Sequence, residues 1–513
     1  MSPEDTGLKS IIDHTLSLLE STRREYKYNL EMYESGRTVA VISSIAWVRG
    51  LRSVGFQELV RFPGGLRGIV FNLKPRQTGI ILLDRGADIP VASEVKRSHR
   101  VIDVPVGEEL IGRVVDAIGR PLDGGGPVNT ENRMPVEREA PSMMDRDPVK
   151  KPLLTGIKAI DALIPVGRGQ RELILGDRKT GKTAIALDTI INQRDQDVIC
   201  IYCAIGKKSS DIASVIEDLR QHDALDYTIV VAASGENPPG LKYIAPYSAT
   251  SMGEYFRDRG RDALVVYDDL TLHARAYREL SLLLRRPPAR EAYPGDIFYI
   301  HSRLLERATH LNPELEGGSL TALPVIETQA QNISAYIPTN LISITDGQIY
   351  LSPKLYRQGI LPAIDIGKSV SRVGGKTQLA AYHGLAGDLK LAYSQFEELE
   401  TFSRFSTRLD EETRRKLKRG ERVRQALKQP QYKPLSVPEQ IAVLVAVNNG
   451  LFDQFQPAEV RDISSKVRQT MLDQAEDISK KILNNEKLKD KDIEQLLNLF
   501  REKLNLEESD GNS

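Results

Sequence analysis

The sequence predicts a multidomain protein with a small N-terminal β-barrel, a central α/β domain built on a parallel sheet, and a C-terminal α-helical bundle. At 513 residues the chain is too long for a single hydrophobic core. Short apolar segments separated by turn residues occupy residues 28–96. Apolar strands alternate with amphipathic helices over residues 97–377, and helical patterns alone fill residues 378–513.

Composition excludes several classes of protein. Lysine plus arginine equal aspartate plus glutamate at 70 each, so no field of one sign attracts nucleic acid or an anionic membrane. Cys200 and Cys203 are three residues apart in the apolar run VICIYCAI, which directs them to opposite faces of a strand and favours buried packing over a redox pair. The run IAVLVAV, residues 441–447, is far shorter than a membrane span.

The N-terminal region divides into a helix and a set of strands. Residues 1–27 predict one amphipathic helix, because apolar residues recur there at helical spacing among charges. Residues 28–96 contain the segments TVAVISSIAWV, LRGIVFNL and TGIILL between glycine, proline and charged turns, which is typical of a small barrel or sandwich.

The remaining chain follows two further patterns. The pairs ELIL with TAIALDTIINQ and VICIYCAI with SDIASVIEDLRQH predict parallel strands covered by helices on both faces. After Gln378 only helical patterns occur, with Pro438 positioned to open one helix and Gly450 to close it. These patterns predict the C-terminal bundle.

The strongest chemical signal is GDRKTGKT, which matches the phosphate-loop pattern G-x-x-x-x-G-K-[ST] between a strand and a helix. Backbone N–H groups of such a loop bind phosphate oxygens of ATP or ADP, Lys182 neutralises the β and γ phosphates, and the Thr183 hydroxyl holds Mg²⁺. A chance glycine loop is the alternative interpretation. The candidate nucleotide-binding residues are Gly176, Asp177, Arg178, Lys179, Thr180, Gly181, Lys182 and Thr183.

Acidic residues at strand ends indicate the metal site. Asp268 and Asp269 follow five apolar residues in ALVVYDDL, at the edge of a parallel sheet where ligands bind. Asp268 is the predicted Mg²⁺ contact through water, and Asp269 is either a second contact or a helix cap. Glu236, in the proline-rich loop after the next strand, is a weak candidate for a catalytic base.

The sequence also argues against hydrolysis at this site. Lys207 follows the strand VICIYCAIG, where related ATPases have the glutamate that activates water. A cation at that position predicts a site that binds nucleotide and hydrolyses it poorly.

The phosphate loop together with PAIDIGKSVS (362–371) and SVSRVGG (369–375) resembles the alpha subunits of F-type ATP synthases over essentially the whole chain. This resemblance implies that the central domain is RecA-like. It implies that Arg372 is an arginine finger reaching the neighbouring beta subunit's catalytic site, with Ser369 and Ser343 near the same interface. It also implies that Gln429 and Gln431 border the adenine.

The resemblance further implies an assembly. Alpha subunits alternate with beta subunits in a hexameric ring around the central-stalk gamma subunit, and the N-terminal helix meets the peripheral-stalk subunits delta and b. The complex makes ATP from ADP and phosphate using a proton or sodium gradient, and lies on the cytoplasmic side of the inner membrane of bacteria. This sequence departs from the family at Lys179 and Lys207, which replace glutamines, and at Leu361, which replaces an arginine.

Two other functions fit parts of the sequence. A self-sufficient catalytic hexamer requires a working carboxylate in its own pocket, against which Lys207 argues. An RNA-translocating motor resembling the Rho helicase requires stacking aromatics on its barrel. The aromatic residues between positions 36 and 95, Trp47, Phe56, Phe62 and Phe71, lie in or beside apolar segments, which favours core packing and predicts no nucleic-acid partner.

Overall fold

The computed structural model describes residues 34–84, 89–403 and 410–506, together with Ile12, residues 15–17 and Glu20. The predicted amphipathic helix of residues 1–27 therefore lies almost entirely outside the described residues. Among the described helices, none is long and apolar enough to cross a membrane.

Six of the described strands close the predicted N-terminal barrel, in the order β1-β2-β5-β4-β3-β6 with antiparallel pairing throughout. Along β2, buried residues alternate between the core inside the barrel, which Ala46 and Val48 enter, and a core shared with the central domain, which Ile45 and Trp47 enter. The strand β6 runs across residue 96, at which the sequence analysis ended the barrel. The barrel strands are β1 (Ser35–Ile42), β2 (Ile45–Arg49), β3 (Glu58–Arg61), β4 (Arg67–Lys74), β5 (Gln77–Leu82) and β6 (Glu94–Val101).

Three of the four barrel aromatics are core residues. Trp47, Phe62 and Phe71 are at most 6% exposed, whereas Phe56 is 48% exposed and packs 5.6 Å from the Phe71 ring. Phe71 also contacts Tyr243 of the central domain, with ring centroids 5.6 Å apart. Trp47 and Phe71 belong to a core shared with the central domain and Phe62 to the core inside the barrel, so these rings do not form an open stacking surface.

The central sheet has eight strands among the described residues, in the order β18-β17-β12-β16-β15-β13-β14-β8. Neighbouring strands pair in parallel except β17 and β18, which are antiparallel at one edge. Short pairs β7 with β9 and β10 with β11 flank the sheet. The strands are β7 (Asp103–Pro105), β8 (Val114–Asp116), β9 (Arg133–Pro135), β10 (Pro152–Leu153), β11 (Val166–Gly167), β12 (Glu172–Gly176), β13 (Val198–Ile205), β14 (Thr228–Ala233), β15 (Asp262–Asp268), β16 (Ser319–Glu327), β17 (Gly347–Leu351) and β18 (Val370–Ser371).

Helices cover both faces of this sheet, so its central strands are apolar on both sides. Every residue of β13 is buried, and Cys200 and Cys203 belong to the two cores on opposite faces. The described helices of this domain are α1 (Lys158–Leu163), α2 (Lys182–Ile191), α3 (Ser209–Gln221), α4 (Pro239–Arg257), α5 (Leu270–Leu283), α6 (Ile297–Leu305), α7 (Tyr336–Ile344) and α8 (Pro353–Arg357).

Helices alone follow the sheet, which completes the predicted architecture. A capping box between Ser436 and Glu439 begins α11, and Gly450 follows its end with a left-handed φ of 72°. The apolar faces of these helices merge with the core on one face of the sheet. The helices are α9 (Ala380–Ser403), α10 (Glu411–Leu427), α11 (Val437–Asn448), α12 (Val460–Gln474), α13 (Glu476–Leu483) and α14 (Asp490–Lys503).

Candidate functional site

The strand register brings the chemical residues to one edge of the sheet. Gly176 at the end of β12 pairs with Glu327 at the end of β16. Asp268 at the end of β15 pairs with Ala204 of β13 and Val325 of β16. The carboxyl ends of these parallel strands therefore form the floor of a single site, as is usual for open α/β sheets.

The predicted phosphate loop links β12 to α2. Gly181 has a φ of 99°, a left-handed conformation that favours glycine, and it immediately precedes the first residue of α2. The Thr180 hydroxyl donates to the Asp177 carbonyl over 2.8 Å, which tightens the turn. The loop thus directs the N-terminal end of α2, with its free N–H groups, towards the site.

Lys182 lies over this loop and is 7% exposed. Its ammonium donates to the Gly176 carbonyl over 2.9 Å and to the Asp177 carbonyl over 2.6 Å. Burial lowers the pKa of Lys182, and the nearby ammonium of Lys207 lowers it further, while Glu327 and Asp269 raise it. Lys182 is therefore a desolvated cation, and an anionic ligand would remove part of its desolvation cost.

A cavity of about 930 Å³ opens beside the loop and is large enough for a nucleotide. Six of the eight predicted loop residues line it, together with Gln429 and Gln431. Gly176 and Asp177 do not line it. The Asp177 carboxylate instead accepts from the Thr328 hydroxyl over 2.6 Å and from a backbone N–H of the following loop, so it anchors the phosphate loop to the end of β16.

Asp268 is almost fully buried beside Thr183. One of its oxygens, Oδ2, accepts from the Thr183 hydroxyl and from the Tyr202 hydroxyl, each over 2.8 Å. Asp268 and Thr183 also border an adjoining cavity of about 280 Å³. Hydroxyl and carboxylate oxygens are the donors that Mg²⁺ prefers, so these residues fit the predicted metal.

Lys207 occupies the other side of the same carboxylate. Its ammonium is 2.6 Å from Asp268 Oδ1 and 4.0 Å from Asp269 Oδ2. Burial lowers the pKa of Lys207, but the carboxylates of Asp268 and Asp269 outweigh burial, and the net change is upward. The position predicted to lack an activating acid therefore holds a charged ammonium.

Asp269 acts as the N-cap of α5, which was one of its two predicted uses. Its Oδ1 accepts from the backbone N–H of Leu272 over 2.8 Å. Burial raises the pKa of Asp269 to about 6, although Lys207 opposes the increase. Asp269 also lines the larger cavity, so capping does not remove it from the site.

The sequence analysis missed Glu327 and Tyr202. Glu327 lines the larger cavity and acts electrostatically on both Lys182 and Lys207. The sequence contained a signal for Glu327, because this residue ends an apolar strand of the parallel sheet as Asp268 does. Tyr202 lies within a strand and gave no such signal. Glu236, the weak candidate base, does not line this cavity.

The side chain of Gln429 makes several hydrogen bonds within the chain, whereas that of Gln431 is exposed. The Gln429 amide donates to the Gly156 carbonyl over 2.7 Å and to the Lys433 carbonyl over 2.9 Å, and its oxygen accepts from the Lys158 N–H over 3.2 Å. Gln431 is exposed and faces both cavities. Contact with adenine stays a prediction for both residues.

Tyr432 fastens the C-terminal helices to the site. Its backbone N–H donates to Asp188 Oδ1 of α2, and its hydroxyl donates to Asp218 Oδ2 of α3, each over 2.8 Å. Its ring stacks on His222 with centroids 4.7 Å apart. The loop of residues 428–433 therefore spans the two helices that follow β12 and β13.

Burial of Asp188 predicts a pH-dependent contribution to stability. Burial raises the pKa of Asp188 from 3.8 to about 6, against smaller opposing effects of the Tyr432 N–H and His222. Between these two pH values the folded chain binds more protons than the unfolded chain, so its stability falls as pH rises through about 6. Asp188→Asn keeps the acceptor without the charge. We expect it to raise the melting temperature by about 2 °C near pH 7.5 and by roughly half as much near pH 5, where the unfolded carboxyl is already ionised but the folded one is not.

Differential scanning fluorimetry across this pH range measures the effect. Asp226→Asn, at an exposed position, is the control and should give no difference that depends on pH. An equal gain from Asp188→Asn at both pH values would contradict the electrostatic explanation.

Arg372 lies outside the cavities of its own chain, directly after β18, and its side chain is exposed. Its guanidinium donates over 3.4 Å to the Thr345 carbonyl and over 3.3 Å to the Ile342 carbonyl. No ion pair joins it to a carboxylate in the part of the chain that the structure describes. The guanidinium therefore keeps hydrogen-bonding capacity for a group outside the chain.

The segment that carries Arg372 is firmly attached to the sheet domain. The Ser371 hydroxyl donates to the Pro165 carbonyl over 2.7 Å and accepts from the Gly374 N–H over 3.0 Å. A Cβ atom at Gly374 would lie 1.6 Å from the Pro165 carbonyl oxygen, so only glycine fits there. Ser369 is buried, donates to the Asp365 carbonyl over 2.6 Å and accepts from the Tyr350 N–H over 2.9 Å.

The buried Ser369 hydroxyl thus both donates and accepts a hydrogen bond within its own chain. Ser343 likewise donates to a carbonyl of its own helix, that of Asn340, over 2.7 Å. A direct part for either serine at an interface stays a prediction.

Comparison with known proteins agrees with the motifs. A model of the ATP synthase alpha/beta family, nucleotide-binding domain, matches residues 156–371, and a model of the ATP synthase alpha/beta chain, C terminal domain, matches residues 378–503. ATP synthase subunit alpha 2 of Syntrophus aciditrophicus is 61% identical over 499 residues, which are 97% of this chain and 96% of that protein. ATP synthase subunit alpha 1 of Marinomonas sp. is 57% identical, covering 97% of this chain and 98% of that protein.

The resemblance predicted from the phosphate loop and the two later segments is confirmed by these matches. Because the family models cover most of the chain and the relatives nearly all of it, the chain belongs to the ATP synthase alpha/beta family.

Proposed function

We propose that this chain is a non-catalytic, nucleotide-binding alpha subunit of an ATP synthase that uses a proton or sodium gradient to make ATP from ADP and phosphate. It alternates with beta subunits in a hexameric ring around the gamma subunit, and contacts the peripheral-stalk subunits delta and b. The complex lies on the cytoplasmic side of a bacterial inner membrane, where this chain is a peripheral component. In this assembly Arg372 serves the adjacent catalytic site.

The cavity beside the phosphate loop supports binding of ATP or ADP. Lys182 and the N-terminal end of α2 offer positive charge and free N–H groups to phosphates, and the exposed Gln431 also lines the cavity. Thr183 would hold Mg²⁺ directly and Asp268 through water. When bound, Mg²⁺ supplies charge neutralisation for the β and γ phosphates.

The observation that carries the non-catalytic assignment is the ion pair of Lys207 with Asp268, 2.6 Å long. A base must accept a proton from water, and an ammonium that remains charged has no lone pair for this purpose. Glu327 also lines the cavity and acts electrostatically on two neighbouring ammonium groups, those of Lys182 and Lys207, while Asp269 caps α5.

Three features of Arg372 support its action in a neighbouring subunit. The guanidinium is exposed, it does not line either cavity of its own chain, and it has carbonyls as its partners. The contacts of Ser369 and Ser371 fix the backbone on either side of β18. A long cation on a rigid segment is suited to reach a phosphoryl group across a subunit boundary.

Because Glu327 is a carboxylate in the cavity, a second function is possible, that of a self-sufficient catalytic subunit. Steady-state hydrolysis of Mg-ATP by the purified full chain distinguishes the two. We expect turnover per site at least about 100-fold slower than in the assembled complex, because a positioned general base contributes about that much. Any residual rate should be insensitive to Glu327→Gln.

Two variants serve as controls for this assay. Lys182→Ala identifies turnover that depends on the phosphate loop, and Arg372→Ala should leave the isolated chain unchanged, since its proposed target is another subunit. Rapid turnover that both Lys182→Ala and Glu327→Gln abolish would support the catalytic rival and refute the non-catalytic assignment.

A further inference from the structure

The ammonium of Lys207 shares a carboxylate with the proposed metal ligands. Lys207 Nζ is 2.6 Å from Asp268 Oδ1, and the Thr183 hydroxyl donates to Asp268 Oδ2 over 2.8 Å. Tyr202 donates to the same Oδ2. A cation of this chain therefore already neutralises the acid that would hold the water shell of Mg²⁺.

Lys207 is also held in this position by its surroundings. Its side chain is 22% exposed and faces the carboxylates of Asp268, Asp269 and Glu327, with Lys182 as the neighbouring cation. A lysine in this pocket loses little of its attraction to Asp268 by screening, because most of its side chain is out of water. Movement away from Asp268 would leave that carboxylate buried with only hydroxyl donors.

Mg²⁺ and this ammonium compete for one position. At ordinary phosphate loops the lysine of the loop and Mg²⁺ together neutralise the nucleotide phosphates. A divalent ion placed between Thr183 and Asp268 would lie close to a fixed positive charge, and like charges a few ångströms apart repel strongly where water is scarce. In the absence of Mg²⁺, the phosphates still meet two ammonium groups, those of Lys182 and Lys207.

We infer that Lys207 provides part of the charge neutralisation that Mg²⁺ provides at other phosphate loops, so that this site binds ADP or ATP with little dependence on Mg²⁺. The inference builds on the proposed nucleotide binding at this cavity. It assigns Lys207 a binding role in addition to its effect on hydrolysis. Lys207 is then a determinant of which form of the nucleotide, free or metal-bound, occupies the site.

Calorimetric titration of the full chain with ADP, in excess Mg²⁺ and in excess EDTA, tests this inference. For the unaltered chain we expect the two dissociation constants to differ by less than about threefold. For Lys207→Gln, which keeps a polar partner for Asp268 without the charge, we expect binding in EDTA to be at least about tenfold weaker than in Mg²⁺.

Two further variants separate the ammonium of Lys207 from charge in general. Lys208→Gln removes a charge from the same loop, but Lys208 has no ion pair with Asp268 among the described contacts, so it should change both affinities alike. Lys207→Arg keeps the charge and should keep the small difference.

The possible failures are distinguishable. A tenfold or larger loss of affinity in EDTA for the unaltered chain overturns the role of Lys207, whatever the variants do, and so does an unchanged ratio in Lys207→Gln. Absence of ADP binding in both conditions overturns the proposed nucleotide site itself.

Discussion

Replacing Arg372 by alanine should lower ATP hydrolysis by the assembled complex by a factor of about 1,000 or more. In the proposed finger role the guanidinium stabilises charge that develops on the transferred phosphoryl group. Alanine removes that contact without disturbing the hydroxyls of Ser369 and Ser371 that hold the segment. Steady-state hydrolysis by complexes of matched composition measures the loss. Because the effect is on the transition state, the turnover number should fall far more than the Michaelis constant rises.

Two controls accompany this experiment. Arg415→Ala removes an exposed arginine from α10 and should leave turnover within about twofold of normal. Arg372→Lys keeps the charge but loses the planar pair of donors, and should restore only a part of the rate. If Arg372→Ala complexes assemble and turn over at a near-normal rate, the finger role is wrong.

Replacing Lys182 by alanine should weaken ADP binding to the full chain by about 100-fold, equivalent to about 2.7 kcal/mol. The ammonium is the most deeply buried cation of the phosphate loop, and charge-assisted contacts with phosphate oxygens are roughly twice as strong as neutral ones. Titration calorimetry in excess Mg²⁺ measures the change. The carbonyls of Gly176 and Asp177, to which the ammonium now donates, remain free to accept from water.

Lys179→Ala is the matched control for this variant. Lys179 lies in the same loop and lines the same cavity, but its side chain is exposed, so water screens its charge and its loss should cost at most about fivefold in affinity. An equal loss from both variants would indicate that general positive charge, and not the buried ammonium, binds the phosphates.

The parts of the site that depend on local sequence could be predicted. The phosphate loop needs only a strand, a glycine-containing turn and a helix in order, so GDRKTGKT predicted the geometry around Gly181. Lys207 was predictable as a cation in place of an acid, because its distance from the end of β13 fixes its position. Glu327 was predictable by the reasoning that found Asp268, had it been applied to β16.

Contacts between residues far apart in sequence could not be predicted. The orientation of Asp177 away from the cavity depends on Thr328, 151 residues later. The Gln429 amide donates to the backbone carbonyl of Gly156, which lies 273 residues earlier. The antiparallel β18 is only two residues long, too short for any periodic pattern, yet it determines the surroundings of Arg372.

The close approach of Gly374 to Pro165 has a mechanical consequence for the proposed finger. Because the two segments are in close contact, the backbone that carries Arg372 cannot move without displacing residue 165. If Arg372 acts at the neighbouring site, it can approach the phosphates there only by rotation of its own side chain or by movement of the opposite subunit. Apart from that rotation, the movement of the partner subunit would then determine when catalysis occurs, while the backbone around Arg372 stays in place.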